Sequence, residues 1–427
     1  MLARWQWLAI VVSRQFWFRA ALFSLAGIVA AVSGIVLAPF VPDSMTTKIG
    51  ASVIDDILNL LANSMLAVAV FSLSTIVSAY GAATNSVTPR ATKLLMDDTT
   101  SKNVVGTFVG AFLYSLVGII ALGTGLYGSQ GRAILLVFTI LLILLVAVTL
   151  LRWVDYLAGF GRVVETIGLV ETTTREALDR WLEHPNLGAA PLEAVPDDAE
   201  RLHGPIGYVQ HIDMGALEAC AKEHDATIYV LAAPGKFVDA LKPLAAVQGA
   251  DAQALEETVR AAFAIGPNRT FEQDPRFGLC VLAEIASRAL SPAVNDPGTA
   301  IDVIGRGVRL LSGWGEGRAE RRDEAPRCPR VRLATLRLED LFDDVFAPIA
   351  RDGATHVEVQ VRLQKGLGAL AATRCEGFAE AAARSSAHAL AHAEAAMRLE
   401  EEKARVRDLA AAVCGRARAS GGLPRDG

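Results

Sequence analysis

Residues Ala133–Leu151 read AILLVFTILLILLVAVTLL, a run with no charged residue. About 20 apolar residues in a helix cross a hydrocarbon core of about 30 Å. This run is apolar on every side, which suits contact with lipid. Working outward, Ala20–Ala38, Ile57–Tyr80 and Val104–Tyr127 also lack Lys, Arg, Asp and Glu. Aromatic residues gather at the ends of these runs: Trp17, Phe18, Phe40, Tyr80, Tyr127, Trp153 and Tyr156. Amphipathic rings favour the headgroup level, so they form the expected belt. The reading is mainly α: a transmembrane region of four helices (about 20–38, 57–80, 104–127 and 133–151) within residues 20–157. The first run is read as a span rather than a cleaved signal. Its lead-in is about nineteen residues and its apolar core exceeds the usual 7–15.

Composition agrees. Hydrophobic residues make up 52% of the 427-residue chain against 20% charged, and the mean hydropathy is +0.34. The long apolar runs lie before residue 152, and an ordinary globular mixture follows. A net charge of −5 provides no basic field for nucleic acid. The five cysteines, Cys220, Cys280, Cys328, Cys375 and Cys414, are odd in number and form no CxxC pair. They fit a reducing compartment better than a disulfide framework or a zinc site.

Positive charges near the span ends set orientation. Arg4, Arg14, Arg19, Arg90, Lys93, Lys102, Arg152 and Arg162 fall on one side, and only Lys48 and Arg132 on the other. Both termini of this multi-pass chain are therefore expected in the cytoplasm. Residues 1–19 form a cytoplasmic lead-in.

The third span carries Gly106 and Gly110 in GxxxG spacing, which lets helix backbones approach closely. In the second, Asp55, Asn59 and Asn63 recur every four residues, with Ser74 and Ser78 near the same stripe. Amides in hydrocarbon need protein or water. Two readings stand: a water-filled path attracting cations, or hydrogen bonding between helices. Thr88-Pro89 resembles an N-cap and first-turn pair opening a short helix.

Beyond the membrane, 152–184 reads as a helix and HPNLGAAPLEAVPDDAE as a linker, together about 158–200. Residues 201–250 read as a small α+β module: strand character over Pro205–Ile212, a helix over Met214–Glu223, a short β run over Thr227–Leu231 and a turn at Pro234-Gly235. Residues 251–413 read as helical, interrupted by a charged, Gly- and Arg-rich loop from Leu310 to Arg330. HVEVQVRLQ alternates like a strand, yet its surroundings make helix the reading. Residues 414–427 read as a disordered tail.

The densest polar chemistry lies at 269–302: Arg269, Glu272, Gln273, Asp274, Arg276, Glu284, Arg288, Asn295, Asp296 and Asp302. Asp274-Pro275 and Asp296-Pro297 read first as helix caps, with Ser291-Pro292 as a third such pair. Glu284 and Arg288 stand one helical turn apart. The cluster is either a structural network, an interface, or a pocket for a polar or anionic ligand. His388 and His392 read as surface histidines, because a metal site needs three or four converging ligands. No phosphate loop, HExxH or GxSxG motif is present. No cofactor, metal or catalytic residue is expected, and an enzyme using Glu284, Asp296 or Asp302 ranks last.

Several segments in order carry a family likeness: NSMLAVAVFSLSTIVSAYGAAT, TPRATKLLMDD, GTFVGAFLYSLV, LLRWVDYL, QDPRFGL and RALSPAVNDPGTAIDV. The chain resembles the bacterial predicted-membrane-protein family called domain of unknown function 2254. That resemblance implies four spans and a soluble C-terminal region, and no activity. Two functions follow as expectations. One is an oligomeric channel or transporter-like protein with a cytoplasmic regulatory domain, built on the second and third spans. The other is a membrane-anchored scaffold or sensor that binds a partner or small ligand through that domain.

Overall fold

The computed structural model describes residues 16–36, 51–96, 98–125, 128–159, 161–249, 251–321 and 325–419. The chain divides between Thr166 and Ile167 into two compact units.

The N-terminal unit is helical: α1 (Phe16–Val36), α2 (Ala51–Ser86), α3 (Pro89–Met96), α4 (Thr99–Gly123) and α5 (Ser129–Gly159). Three of its helices are long and apolar enough to cross a membrane, over Ser52–Thr84, Thr99–Gly123 and Gln130–Gly159. In α1 the apolar stretch is the shorter Ala20–Ser33, and the end expected at Ala38 lies outside the described residues.

Helix α4 sits centrally, packed on α1, α2 and α5. Its glycines set the α1 contact: a Cβ on Gly110 would lie 2.7 Å from the Phe23 carbonyl oxygen, and one on Gly27 would lie 2.5 Å from that of Gly110. Only glycine permits that backbone approach. The Tyr114 hydroxyl, buried in the helix bundle, donates to the Leu135 carbonyl at 3.0 Å and pairs with Thr139 Oγ1 at 2.9 Å, tying α4 to α5. The opposite side of α5 presents Val137, Leu141, Leu144, Val148 and Leu151. Thr88 caps α3 through the Ala91 N–H, and Asp98 caps α4 through the Ser101 N–H.

The helix expected over 152–184 is broken. α5 ends at Gly159 and α6 (Val163–Glu183) starts afresh. Gly161 between them has φ +79°, a left-handed conformation that glycine adopts without steric cost.

The C-terminal unit contains two sheets. Strands β1 (Ala189–Pro191), β2 (Glu200–Leu202), β4 (Thr227–Val230), β6 (Ala245–Gln248) and β8 (Cys328–Leu333) form one, ordered β1-β8-β4-β6-β2. Strands β3 (Gly207–Ile212), β5 (Phe237–Val238) and β7 (Phe263–Gly266) form the other, with β3 central. Helices α7 (Met214–Glu223) and α8 (Ala252–Ala261) help bury a core that includes Val209, Leu217, Ile228, Val247, Val259 and Val331.

Three expectations are corrected here. The module is not confined to 201–250, because the stretch read as a linker supplies β1 and the stretch read as a loop supplies β8, parallel to both β1 and β4. Strands of three to six residues carry too little periodicity to be read alone; their stability comes from pairing with residues about 140 positions away. Nor is Leu310–Arg330 a loop throughout: α10 (Pro297–Glu320) continues through it and buries Trp314.

The remaining helices are α9 (Pro275–Ala289), α11 (Leu338–Asp352), α12 (Val357–Leu370), α13 (Phe378–Ala396) and α14 (Glu400–Ala419). HVEVQVRLQ lies in α12, as its surroundings suggested. Its strand-like alternation misleads because α12 packs against α10, α13 and α14, burying Gln360 and Gln364 beside Val359, Val361 and Leu363. Their amide nitrogens donate to the carbonyls of Ala350 and Ser386, and the Gln364 Oε1 accepts from the Ser386 hydroxyl. The tail expected from residue 414 is helical through Ala419, and the rest of it lies outside the described residues.

Candidate functional site

Helix α2 has two dissimilar faces. Ile54, Leu58, Leu61, Met65, Ala69 and Ile76 are buried against the bundle. Asp55 is half-buried, while Asn59, Asn63, Ser74 and Ser78 point outward and are exposed. Leu60, Val70, Phe71 and Val77 are exposed between them. The geometry follows from spacing: the gaps within the polar set (four or eleven residues) and within the buried set (three, four or seven) are near whole helical turns, which puts the two sets on opposite sides of the helix. Asn59 Nδ2 donates to the Asp55 carbonyl at 3.0 Å, and Ser64, Thr75 and Thr84 hydroxyls bond back to carbonyls one turn earlier. The side chains of Asn63, Ser74 and Ser78 make no hydrogen bond among the described residues. Among the described residues the stripe therefore encloses no path; it faces outward.

The 269–302 residues do not converge on one point. They form three groups. In the first, Arg269 forks onto Asp274 at 2.7 and 3.0 Å and lies 5.0 Å above the Phe277 ring. Asp274 also accepts the Phe277 N–H at 3.2 Å, capping α9. Burial pushes the Asp274 carboxyl upward against the pull of Arg269. The carboxylate packs on the turn at Gly235, whose φ is +85° and where a Cβ would fall 1.9 Å from Asp274 Oδ2. Gln273 behaves as an extra strand residue: its Oε1 accepts from the Ile212 N–H and its Nε2 donates to the Ile212 carbonyl. Glu272 is half-buried beside them. This group fastens β3 to the start of α9.

In the second group, Arg276 reaches α11, donating to Asp344 at 2.6 and 3.0 Å and to Asp340 at 2.6 Å. The hydrogen bond to Asp344 holds this guanidinium protonated despite burial. Next to it a cleft of about 690 Å³ opens between α9, α11 and α13. Cys280, Glu284, Ser287, Asp343, Asp344, Arg351, His388 and His392 line it. Burial and the nearby Asp344 push the Cys280 thiol up to about 11, so it is a thiol rather than a thiolate at neutral pH. His388 and His392 stack edge to face with centroids 4.7 Å apart. His388 is exposed, as a surface histidine should be, but His392 is half-buried against the cleft. Their i,i+4 spacing was the available signal; that α9 and α11 would bring carboxylates beside them was not visible. Arg288 is half-buried on α9, one turn beyond Glu284. Among the described residues, no group of three His, Cys, Asp or Glu is placed to hold a metal ion.

The third group is a turn. Asn295 has φ +51°, and its N–H donates to the Ser291 carbonyl. Ser291-Pro292 starts this turn rather than a helix. Asp296 caps α10 through the N–H and hydroxyl of Thr299, whose hydroxyl first and backbone second hold its carboxyl below the usual range. Asp302 pairs with Arg306 at 2.8 Å. Glu284, Asp296 and Asp302 thus have separate surroundings.

The sequence profile of a family described as "Predicted membrane protein (DUF2254)" matches residues 13–369. The chain belongs to that family. The family's description as a predicted membrane protein agrees with the long apolar helices of the N-terminal unit. The chain is also similar to an uncharacterized protein of Mycobacterium tuberculosis strain H37Rv and one of Mycobacterium bovis strain AF2122/97, each 34% identical over 149 residues. Each match covers 33% of this chain and 27% of the relative. No solved structure matches.

Proposed function

We propose that this DUF2254 protein is a homo-oligomeric, channel-like protein of the bacterial inner membrane. The α2 faces of neighbouring copies meet to enclose a polar path, and residues 167–427 form a cytoplasmic regulatory domain. The observation that carries the reading is the outward stripe Asn59, Asn63, Ser74 and Ser78 on a helix long and apolar enough to span. An amide facing hydrocarbon without a partner costs several kcal/mol. Amides carry both donor and acceptor, so identical stripes on two copies can satisfy each other or hold water between them. α1, at 21 residues, is about 31 Å long by helical rise and serves as the fourth span. The excess of Arg and Lys around Arg90, Lys93, Lys102 and Arg152 places both termini in the cytoplasm.

The test is ion flux in liposomes reconstituted with the full chain. Wild-type protein is expected to conduct, and Asn59→Leu with Asn63→Leu to reduce flux at least tenfold. Absence of wild-type flux across mono- and divalent salts sinks the channel. The second reading, a membrane-anchored sensor or scaffold, is favoured by the polar cleft of about 690 Å³, a size that suits a small ligand. It predicts a thermal shift with a ligand and no flux.

A further inference from the structure

Among the described residues, charge clusters of the C-terminal unit generally give each arginine at least one carboxylate. Arg276 has Asp340 and Asp344, and Arg407 has Glu394 and Glu400. Around α6 and α10 the ratio is reversed. The buried carboxylate of Glu171 alone receives Arg175 at 3.1 Å, Arg306 at 2.9 Å, and Arg309 at 3.0 Å from each of two nitrogens. Asp302 pairs directly with Arg306 and also draws on the charge of Arg309, so two carboxylates stand against these three arginines. A fourth guanidinium, Arg362 of α12, reaches the same place: a Cβ built on Gly305 would lie 3.4 Å from Arg362 Nη2 and 3.9 Å from Arg309 Nη1. Arg362 is exposed and makes no ion pair or hydrogen bond among the described residues, not even with Glu358 one turn earlier.

These guanidinium groups lie directly over glycine positions of the helices. A Cβ on Gly168 would meet only Arg306, one on Gly305 only Arg362 and Arg309, and one on Gly313 only Arg175. Glycine inside a helix costs roughly 1 kcal/mol relative to alanine. Here it leaves the helix surface bare beneath the guanidinium groups. Arg309 and Arg175 keep 55% and 44% of their side chains exposed, so their remaining N–H donors face solvent.

We propose that this face of α6, α10 and α12 binds a phosphate-bearing anion, with Arg309 and Arg362 as its principal donors and Arg175 at the edge. Guanidinium forks match phosphate oxygens in pairs. Donors converging from two helices suit a tetrahedral group with three free oxygens better than one planar carboxylate. The site stands independently of the channel reading. The phosphate belongs either to a free small anion or to a lipid headgroup, and the experiment separates them.

The full chain is purified in detergent and its thermal midpoint followed by tryptophan fluorescence. Inorganic phosphate is titrated in at constant ionic strength, balanced with sodium chloride. In parallel the chain is placed in nanodiscs of phosphatidylcholine alone or with phosphatidylglycerol. A rise with phosphate, needing at least ten times more phosphate in Arg362→Gln, supports a free anion. A rise confined to phosphatidylglycerol discs and lost in Arg362→Gln supports a headgroup. If that variant fails to fold, Arg362→Lys keeps the charge without the fork and is expected to bind at least threefold more weakly. A wild-type midpoint indifferent to both probes, or variants responding like wild type, overturns the site.

Discussion

Two polar constellations in this molecule use similar residue types to opposite ends. At the start of α9, Arg269, Gln273, Asp274 and Arg276 have their groups matched by a guanidinium, a carboxylate or the β3 backbone. On α2, Asn63, Ser74 and Ser78 face outward without a partner among the described residues. A polar group that is satisfied internally has already told its purpose, which is to hold elements together. One that is unsatisfied on an apolar helix still requires something from outside. The contrast explains why the first group reads as architecture and the second as the basis for function.

The largest test of the contrast is Arg269→Ala. It strands the Asp274 carboxylate, only 3% exposed, against the Gly235 turn. Chemical unfolding of the full chain in detergent is expected to show a loss of about 3–5 kcal/mol. A loss below about 1 kcal/mol would remove Asp274 from the set of buried, obligate partners.

Next in size is the α1–α4 contact. Gly110→Val drives a side chain into the Phe23 carbonyl and is expected to cost about 2–3 kcal/mol, read as a lower thermal midpoint in detergent. A neutral result would show that α1 can move aside.

Glu171→Gln follows, at about 2 kcal/mol at neutral pH, because charge-assisted hydrogen bonds from three arginines are weakened. Burial raises the Glu171 carboxyl, but Arg309 first, then Arg306 and Arg175, outweigh it and hold it below its ordinary value. The folded state thus prefers the charged form. Its contribution is complete above the ordinary glutamate value of about 4.3 and drains away as pH falls below that. Wild type and variant should therefore converge in stability under acid, measured by thermal unfolding between neutral pH and pH 3.

The smallest effect belongs to the other side of the comparison. Asn63→Leu removes no hydrogen bond among the described residues, so the monomer's stability should change by no more than about 0.5 kcal/mol. Its oligomeric fraction, read by crosslinking in native lipid, should fall several-fold. A large drop in monomer stability would mean that Asn63 is already satisfied within the chain.

How much of this was legible in advance depends on the range of the interactions. Helix α5, the caps at Thr88, Asp274 and Asp296, and the strand β3 follow from local signals: hydropathy, Asp-Pro pairs and short alternation. Strand β8 does not, because Cys328–Leu333 becomes a strand only by lying beside Ile228–Val230 and Ala189–Pro191. The 269–302 cluster was legible as polar but not as three separate groups. Asp340 and Asp344, which complete Arg276, come from a helix about 65 residues away. The same holds for Glu171, two of whose three arginines, Arg306 and Arg309, lie about 135 residues downstream.

By itself the amino-acid order determined that the chain has long uncharged helices suited to lipid and that polar residues line one side of α2. Hydropathy and helical period are properties of neighbouring residues, and they survive without knowledge of the rest. Only the tertiary structure decided that the α2 stripe turns away from α4, that Asp274 is buried beneath Gly235, and that three arginines gather around Glu171. Those outcomes depend on which helix faces which, and packing between distant segments sets that choice.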